Sequence, residues 1–167
     1  MNRLTDPDFE LRDETADDRP FLDALHRGVI LQAMGGGADE TDPVMVSLAG
    51  MQVRARDLAY AADWPGARRR TAWIGPERAG AVITSEGPGG LHVVDIAVAP
   101  GQRRRGVGRA MLEAVLREAD RAGLESTARI LVSNAASRAL FAAAGFRFHA
   151  EPAQVQGVAR RSPITNM

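Results

Sequence analysis

The densest group of chemistry-bearing residues is one short stretch, Arg103-Arg104-Arg105-Gly106-Val107-Gly108-Arg109. It follows a strand-like run ending at Pro100 and opens into an amphipathic segment. A loop of this composition at the start of a helix suits an anion. Successive backbone N–H groups converge there, and the helix dipole favours negative charge. Gly106 and Gly108 let a phosphate approach with no Cβ in the way, and Arg103, Arg104, Arg105 and Arg109 add positive charge. A dinucleotide fingerprint would need a third glycine where Met111 stands. A P-loop would need a Gly-Lys pair, and all 21 basic residues are arginine. The absence of cysteine rules out disulfides, thiolate metal ligands and a cysteine nucleophile.

These residues need elements to hold them. Phe9 to Arg12 alternates as a short strand, and Thr15-Ala16-Asp17-Asp18 is a helix start. That helix is expected to stop near Gly28, and a second to run from Pro43 to about Ala62. Arg70–Ile74, Gly80–Thr84 and Leu91–Val98 read as a meander of three strands, with turns at Gly75-Pro76 and Glu86–Gly90. Met111, Leu112, Val115, Leu116 and Ala119 make the apolar face of a helix over 107–122, capped by Gly123. A strand over 128–132, a helix over 135–144 and strands from Phe146 and about Gln154 complete the chain. Asn134 sits where a helix N-cap belongs. One domain over 1–167 is expected, with about 1–7 and 161–167 loose.

Within this order, Arg103-Arg104-Arg105-Gly106-Val107-Gly108 resembles the pyrophosphate signature of the GNAT N-acetyltransferases, Gln/Arg-x-x-Gly-x-Gly/Ala, in the family's place between a strand and a helix. The segment Val132 to Phe146 is similar to the family's later motif, in which an Asn opens a helix that carries an aromatic residue and ends in Gly-Phe. Together the two motifs cover roughly the C-terminal half. The resemblance implies an α/β (α+β) fold, a mixed and mostly antiparallel sheet of about seven strands flanked by four helices. It implies acetyl-CoA as co-substrate, no metal, and direct acetyl transfer to a primary amine of a small molecule or peptide. The pantetheine arm would lie between the splayed strands 91–98 and 128–132. Ile96 and Val98 would pair with it through their backbones, and a backbone N–H near Ile96–Ala97 would polarise the thioester carbonyl. Residues 103–109, Val107 included, would hold the pyrophosphate, and Asn134, Ser137 and Phe141 would border the arm.

The attacking amine must first lose a proton, so a general base is useful. The family draws a His or an acid from the third meander strand, which makes His92 the first candidate, Asp95 the second and Glu86 the third. By strand alternation His92 shares a face with Val94, Ile96 and Val98, and Asp95 faces the other way. Phe141 stands where many members have a tyrosine proton donor. The one tyrosine, Tyr60, lies in the second helix. That departure keeps a second reading open, a non-catalytic acyl-CoA-binding domain with a sensing or regulatory role.

The bulk composition fits a soluble globular chain, with 45% hydrophobic and 25% charged residues. A formal net charge of +0 gives no global field to recruit nucleic acid or a membrane, which argues against an enzyme acting on charged tRNA. The N-terminus lacks a signal-peptide pattern, so a bacterial cytoplasmic setting is expected. Homodimers are frequent in the family, and nothing in the sequence marks an interface.

Overall fold

The computed structural model describes residues 9–34, 42–150 and 156–164. The glycine-rich stretch around Gly35–Gly37 and most of both chain ends lie outside these. The elements in chain order are β1 (Phe9–Asp13), α1 (Arg19–Ala33), α2 (Pro43–Asp63), β2 (Arg68–Ile74), β3 (Glu77–Gly87), β4 (Gly90–Val98), α3 (Val107–Arg121), β5 (Ser126–Leu131), α4 (Ala135–Ala143), β6 (Arg147–His149) and β7 (Gln156–Arg161). The expected order holds. Two expectations at element ends do not. α1 continues past Gly28 to Ala33 because Leu31 still has core to bury itself in, which outweighs the ~1 kcal/mol cost of a helical glycine. Arg161 is the last residue of β7 rather than loose. Its guanidinium makes two hydrogen bonds to Asp120, at 2.7 and 2.9 Å.

The seven strands among the described residues form one sheet in the order β1-β2-β3-β4-β5-β7-β6. All neighbours are antiparallel except β4 and β5, which are parallel and joined across the sheet by α3. The main core lies between α3 and the sheet. Val107, Met111, Leu112, Val115, Leu116 and Ala119 pack there with Val82, Leu91, Val93, Ala128, Phe141 and Phe146. On the opposite face Leu22 and Leu25 of α1 pack on Ala81 and Ala97. The sheet is therefore covered on both sides, as a fold with a parallel pair at its centre requires. No helix among the described residues is long and apolar enough to cross a membrane.

Two features of β4 position the site. First, its pairing with β5 covers only Leu91↔Ser126, His92↔Thr127 and Val93↔Ala128, after which the strands part. Second, its register with β3 steps from Thr84↔Val93 to Ile83↔Asp95, so Val94 is an extra, bulged residue. A bulge reverses the alternation of side chains beyond it. Leu91 and Val93 face α3 before it, and Ile96 and Val98 do so after it. His92, Asp95 and Ala97 share the α1–α2 side. This corrects the unbroken alternation expected from sequence, which set His92 with Ile96 and Val98 and placed Asp95 opposite.

Candidate active site

Where β4 and β5 part, the backbone of β4 keeps β3 on one side and has no strand partner on the other. Ala99 N–H donates to the Ala79 carbonyl on β3, at 2.9 Å. Alternation along the strand then turns the N–H and C=O of Ile96 and Val98 the other way, toward the gap. Buried backbone groups left unpaired inside a sheet are costly, so the gap is a place for a ligand with amide groups of its own. Two clefts run along it. One, of about 290 Å³, is bordered by Tyr60, Asp95, Ile96, Asn134, Ser137 and Phe141, among others. The other, of about 490 Å³, is bordered by Ile96, Ala97, Val98, Arg103, Arg104 and Gly108, with Asn134 and Ser137 again. Their shared residues make them one channel. Larger hollows of about 760 and 800 Å³ lie beside Asp13–Arg19 and along the β6–β7 edge and contain none of these residues.

The channel ends at the arginine-glycine turn. Arg104 (φ 62°) and Gly106 (φ 85°) are both left-handed, and Gly106 is the N-cap of α3. Such alternation curls successive N–H groups into a concave nest facing the helix terminus. A Cβ on Gly108 would stand 3.3 Å from Val98 Cγ2 and 3.5 Å from Leu140 Cδ2, so glycine there also closes the packing of α3 on β4. The arginines are not equivalent. Arg103 reaches across the channel mouth, Nη1 donating to Gln32 Oε1 at 2.7 Å and Nε to the Val98 carbonyl at 3.3 Å. Arg105 is held by Gln102, at 2.6 Å, and Arg109 by Glu113, at 2.6 Å. The Val107 side chain is buried in the core, so only its backbone is available to the loop.

On the other wall, the Asn134 side-chain oxygen Oδ1 accepts from Ser137 N–H at 3.0 Å and caps α4. Phe141 is buried edge-on against Phe146.

The two candidate bases are placed differently. His92 lies in the paired part of β4, stacked on Trp64 with ring centroids 4.4 Å apart. Its Nδ1 is 2.8 Å from Thr127 Oγ1. Burial lowers its pKa, and it does not border the channel. Asp95 does border it. Burial raises the pKa of its carboxyl, while the Arg56 guanidinium and the neighbouring Ile96 N–H work against that rise. One carboxylate oxygen is 3.5 Å from Arg56 Nη1 and 3.9 Å from His26 Nδ1.

Around Asp95 stands a polar cluster that sequence reasoning missed. Arg56 Nη1 donates to His26 Nδ1 at 2.7 Å, and Nη2 to Asp57 at 3.0 Å. Its Nε is buried without a partner. Burial and Arg56 push the His26 pKa down to about 4, so at neutral pH the ring is uncharged, with Nδ1 accepting and its proton on Nε2. Tyr60 lies under the Arg56 guanidinium, and burial first, then Asp95, push its pKa up to about 12. A signal for these residues existed. Ala49, Val53, Arg56 and Tyr60 recur on the inward face of α2, and charged or hydroxyl groups on a buried face call for a reason.

The chain matches the model of the acetyltransferase (GNAT) family over residues 41–146. Among solved structures it is similar to an acetyltransferase from Thermus thermophilus, with 20% identity, a TM-score of 0.65, and 92% of this chain and 96% of that one covered. It is similar to the PaiA N-acetyltransferase from Thermoplasma acidophilum in complex with coenzyme A, with 11% identity, a TM-score of 0.69, and 92% and 98% covered. It is similar to the ribosomal-protein-S18-alanine N-acetyltransferase from Escherichia coli, with 20% identity, a TM-score of 0.60, and 95% and 96% covered. No curated protein matches it. At these identities the likenesses carry the fold, and the family model carries the membership. A family model spanning well over half of the chain and ending at Phe146, after both the glycine-arginine turn and the splayed strands, shows that the chain belongs to the GNAT acetyltransferase family.

Proposed function

We propose that the protein, as a single domain, moves the acetyl group of acetyl-CoA to a primary amine of a small molecule or peptide by direct transfer. One observation carries this. The gap that leaves the Ile96 and Val98 backbones without a partner on the β5 side leads straight to the left-handed turn at the N-terminus of α3. A pantetheine arm offers amides to the former and a pyrophosphate to the latter. Structural neighbours described with coenzyme A or acetyl-CoA support the reading.

In this reading the N–H groups of 104–109 hold the pyrophosphate, with Arg104 adding charge. Arg103 releases the Val98 carbonyl to the arm, and Asn134, Ser137 and Phe141 form the facing wall. Asp95 takes the proton that the acceptor ammonium must lose before its nitrogen attacks, and its position on the channel favours it over His92. When substrate binds, the Ile96 N–H exchanges the Asp95 carboxylate for the thioester carbonyl, which it polarises. Phe141 has no proton to give. Tyr60 borders the same channel, but with a pKa of about 12 it is a weaker acid than a thiol of ~8.5. It serves as a hydrogen-bond donor, and the thiolate leaves unprotonated at about 2 kcal/mol, taking its proton from water.

The test is thermal melting with and without acetyl-CoA. At a hundredfold over Kd the ligand stabilises by about 2.7 kcal/mol, which raises the midpoint by about 5–10 °C. Gly108→Leu should abolish the rise. No rise in the native protein would overturn the assignment. The absent tyrosine favours a second reading, acyl-CoA binding without turnover. Thiol release in the presence of amines separates the two.

A further inference from the structure

Helix α2 carries more apolar bulk on its outside than on its inside. It buries only Ala49 and Val53, whereas Val44, Leu48, Met51 and Leu58 are 72%, 39%, 57% and 73% exposed. With the exposed Ala55 and Ala62 they recur at intervals of 4, 3, 4, 3 and 4, the spacing of a coiled-coil seam, over about 27 Å of helix. A surface helix ordinarily turns a polar face to water. Here Arg54 is the one charged side chain among the exposed residues between Val44 and Ala62.

We propose that this seam is closed by a second copy of the chain, α2 packing antiparallel on α2 about a twofold axis beside Val53. The argument is self-complementarity. The spacing reads the same in both directions, so reversal lays Val44 on Ala62, Leu48 on Leu58 and Met51 on Ala55 of the partner copy. Two of these three pairs set a large residue against a small one, and the third sets Leu on Leu. That interdigitation is what a twofold interface needs. A seam flanked by one arginine offers no charge pattern to a charged peptide. A contact along one such helix is small beside the usual specific dimer interface, so association should depend on protein concentration. Arg56, Asp57 and Tyr60 lie on the opposite face of the same helix, so the contact also steadies one wall of the channel. The proposal does not depend on the acyltransferase reading.

The absence of native cysteine makes the register directly readable. Light scattering after size exclusion, from about 1 to about 100 μM, should show the mass rising from 17.9 kDa to twice that value. Leu58→Glu should hold it at the monomer value with unchanged far-UV circular dichroism. Leu48→Cys and Leu58→Cys, each alone, should oxidise to little covalent dimer, and their mixture to much. A monomer at every concentration would overturn the proposal, as would a dimer indifferent to Leu58→Glu. Cross-linking of either variant with itself, and not in the mixture, would overturn the antiparallel arrangement.

Discussion

Replacing Asp95 by Asn keeps the size of the side chain and removes its capacity to take a proton. The fold should survive. Arg56 keeps Asp57 at 3.0 Å and His26 at 2.7 Å, so the guanidinium is not left without partners, and the stability change should be about 1 kcal/mol. The catalytic change should be much larger. An alkylammonium near pKa 10 is about one part in a thousand neutral at pH 7, and a positioned base contributes about 10²–10⁴ to the rate. The corresponding loss in kcat/KM is about 3–5 kcal/mol of barrier. Thiol release on acetyl transfer to a panel of amines reads it directly. Because burial raises the Asp95 pKa, native activity should fall as pH drops through a value above the ordinary 3.8, and Asp95→Asn should lose that inflection. The melting rise with acetyl-CoA should remain, which separates chemistry from binding. Activity within threefold of native at pH 7, with the acid limb intact, would refute the assignment.

His92→Ala should leave turnover at pH 7 within a few-fold and cost about 1–2 kcal/mol of stability, through the lost Trp64 stack and Thr127 contact, which a denaturant melt measures. A large loss of activity would return His92 to the mechanism. His26 gives a pH signature. Its folded pKa of about 4 lies below the unfolded 6.5, so the unfolded chain binds the extra proton. Stability is full above pH 6.5 and falls by up to about 3 kcal/mol as pH drops toward 4. His26→Gln should flatten that slope in melts taken across the range. Gly80→Ala should destabilise by about 1–3 kcal/mol or more, since the new Cβ would meet the Ala97 carbonyl oxygen at 2.5 Å and Met111 Cε at 2.9 Å. It should also lower acetyl-CoA affinity, because Ala97 lies between Ile96 and Val98.

The legible parts of this chain are those whose signal is local. The α3 stripe, Gly123 after it and the glycines of the turn before it each declare themselves within a few residues, and the structure has them in those roles. The parallel β4–β5 pair follows from the helix between two strands. Sequence reading failed where one residue changes the phase of many. The extra Val94 has no composition of its own, so alternation ran unbroken and put His92 and Asp95 on opposite faces. That Asp95, Arg56 and His26 meet was hidden for a different reason. His26, Arg56 and Asp95 are separated by 30 and 39 positions, and only the packing of α1 and α2 on β4 makes neighbours of them.

The bulge and the splay are best understood as one device. A strand whose backbone groups lack partners is a liability at the rim of a sheet, and more so near its middle, where water cannot easily replace the lost bonds. β4 could have continued its pairing with β5 past Val93 and Ala128, since Ile130 and Ile96 are both suitable residues for it. Instead Val94 re-aims the strand. Beyond it Asp95 faces the helices that border the acceptor side, while the Ile96 and Val98 backbones face the channel. A single inserted residue thus sets the proton acceptor and the two backbone groups on adjoining sides of one opening. Deleting Val94 should restore a regular β3–β4 ladder, with Asp95 still on the α1–α2 side, and let the Ile96 and Val98 backbones pair with β5. Such a variant should lose the acetyl-CoA melting rise and turnover together. If both survived the deletion, the bulge would be incidental and the channel would have to be held open by α4 alone.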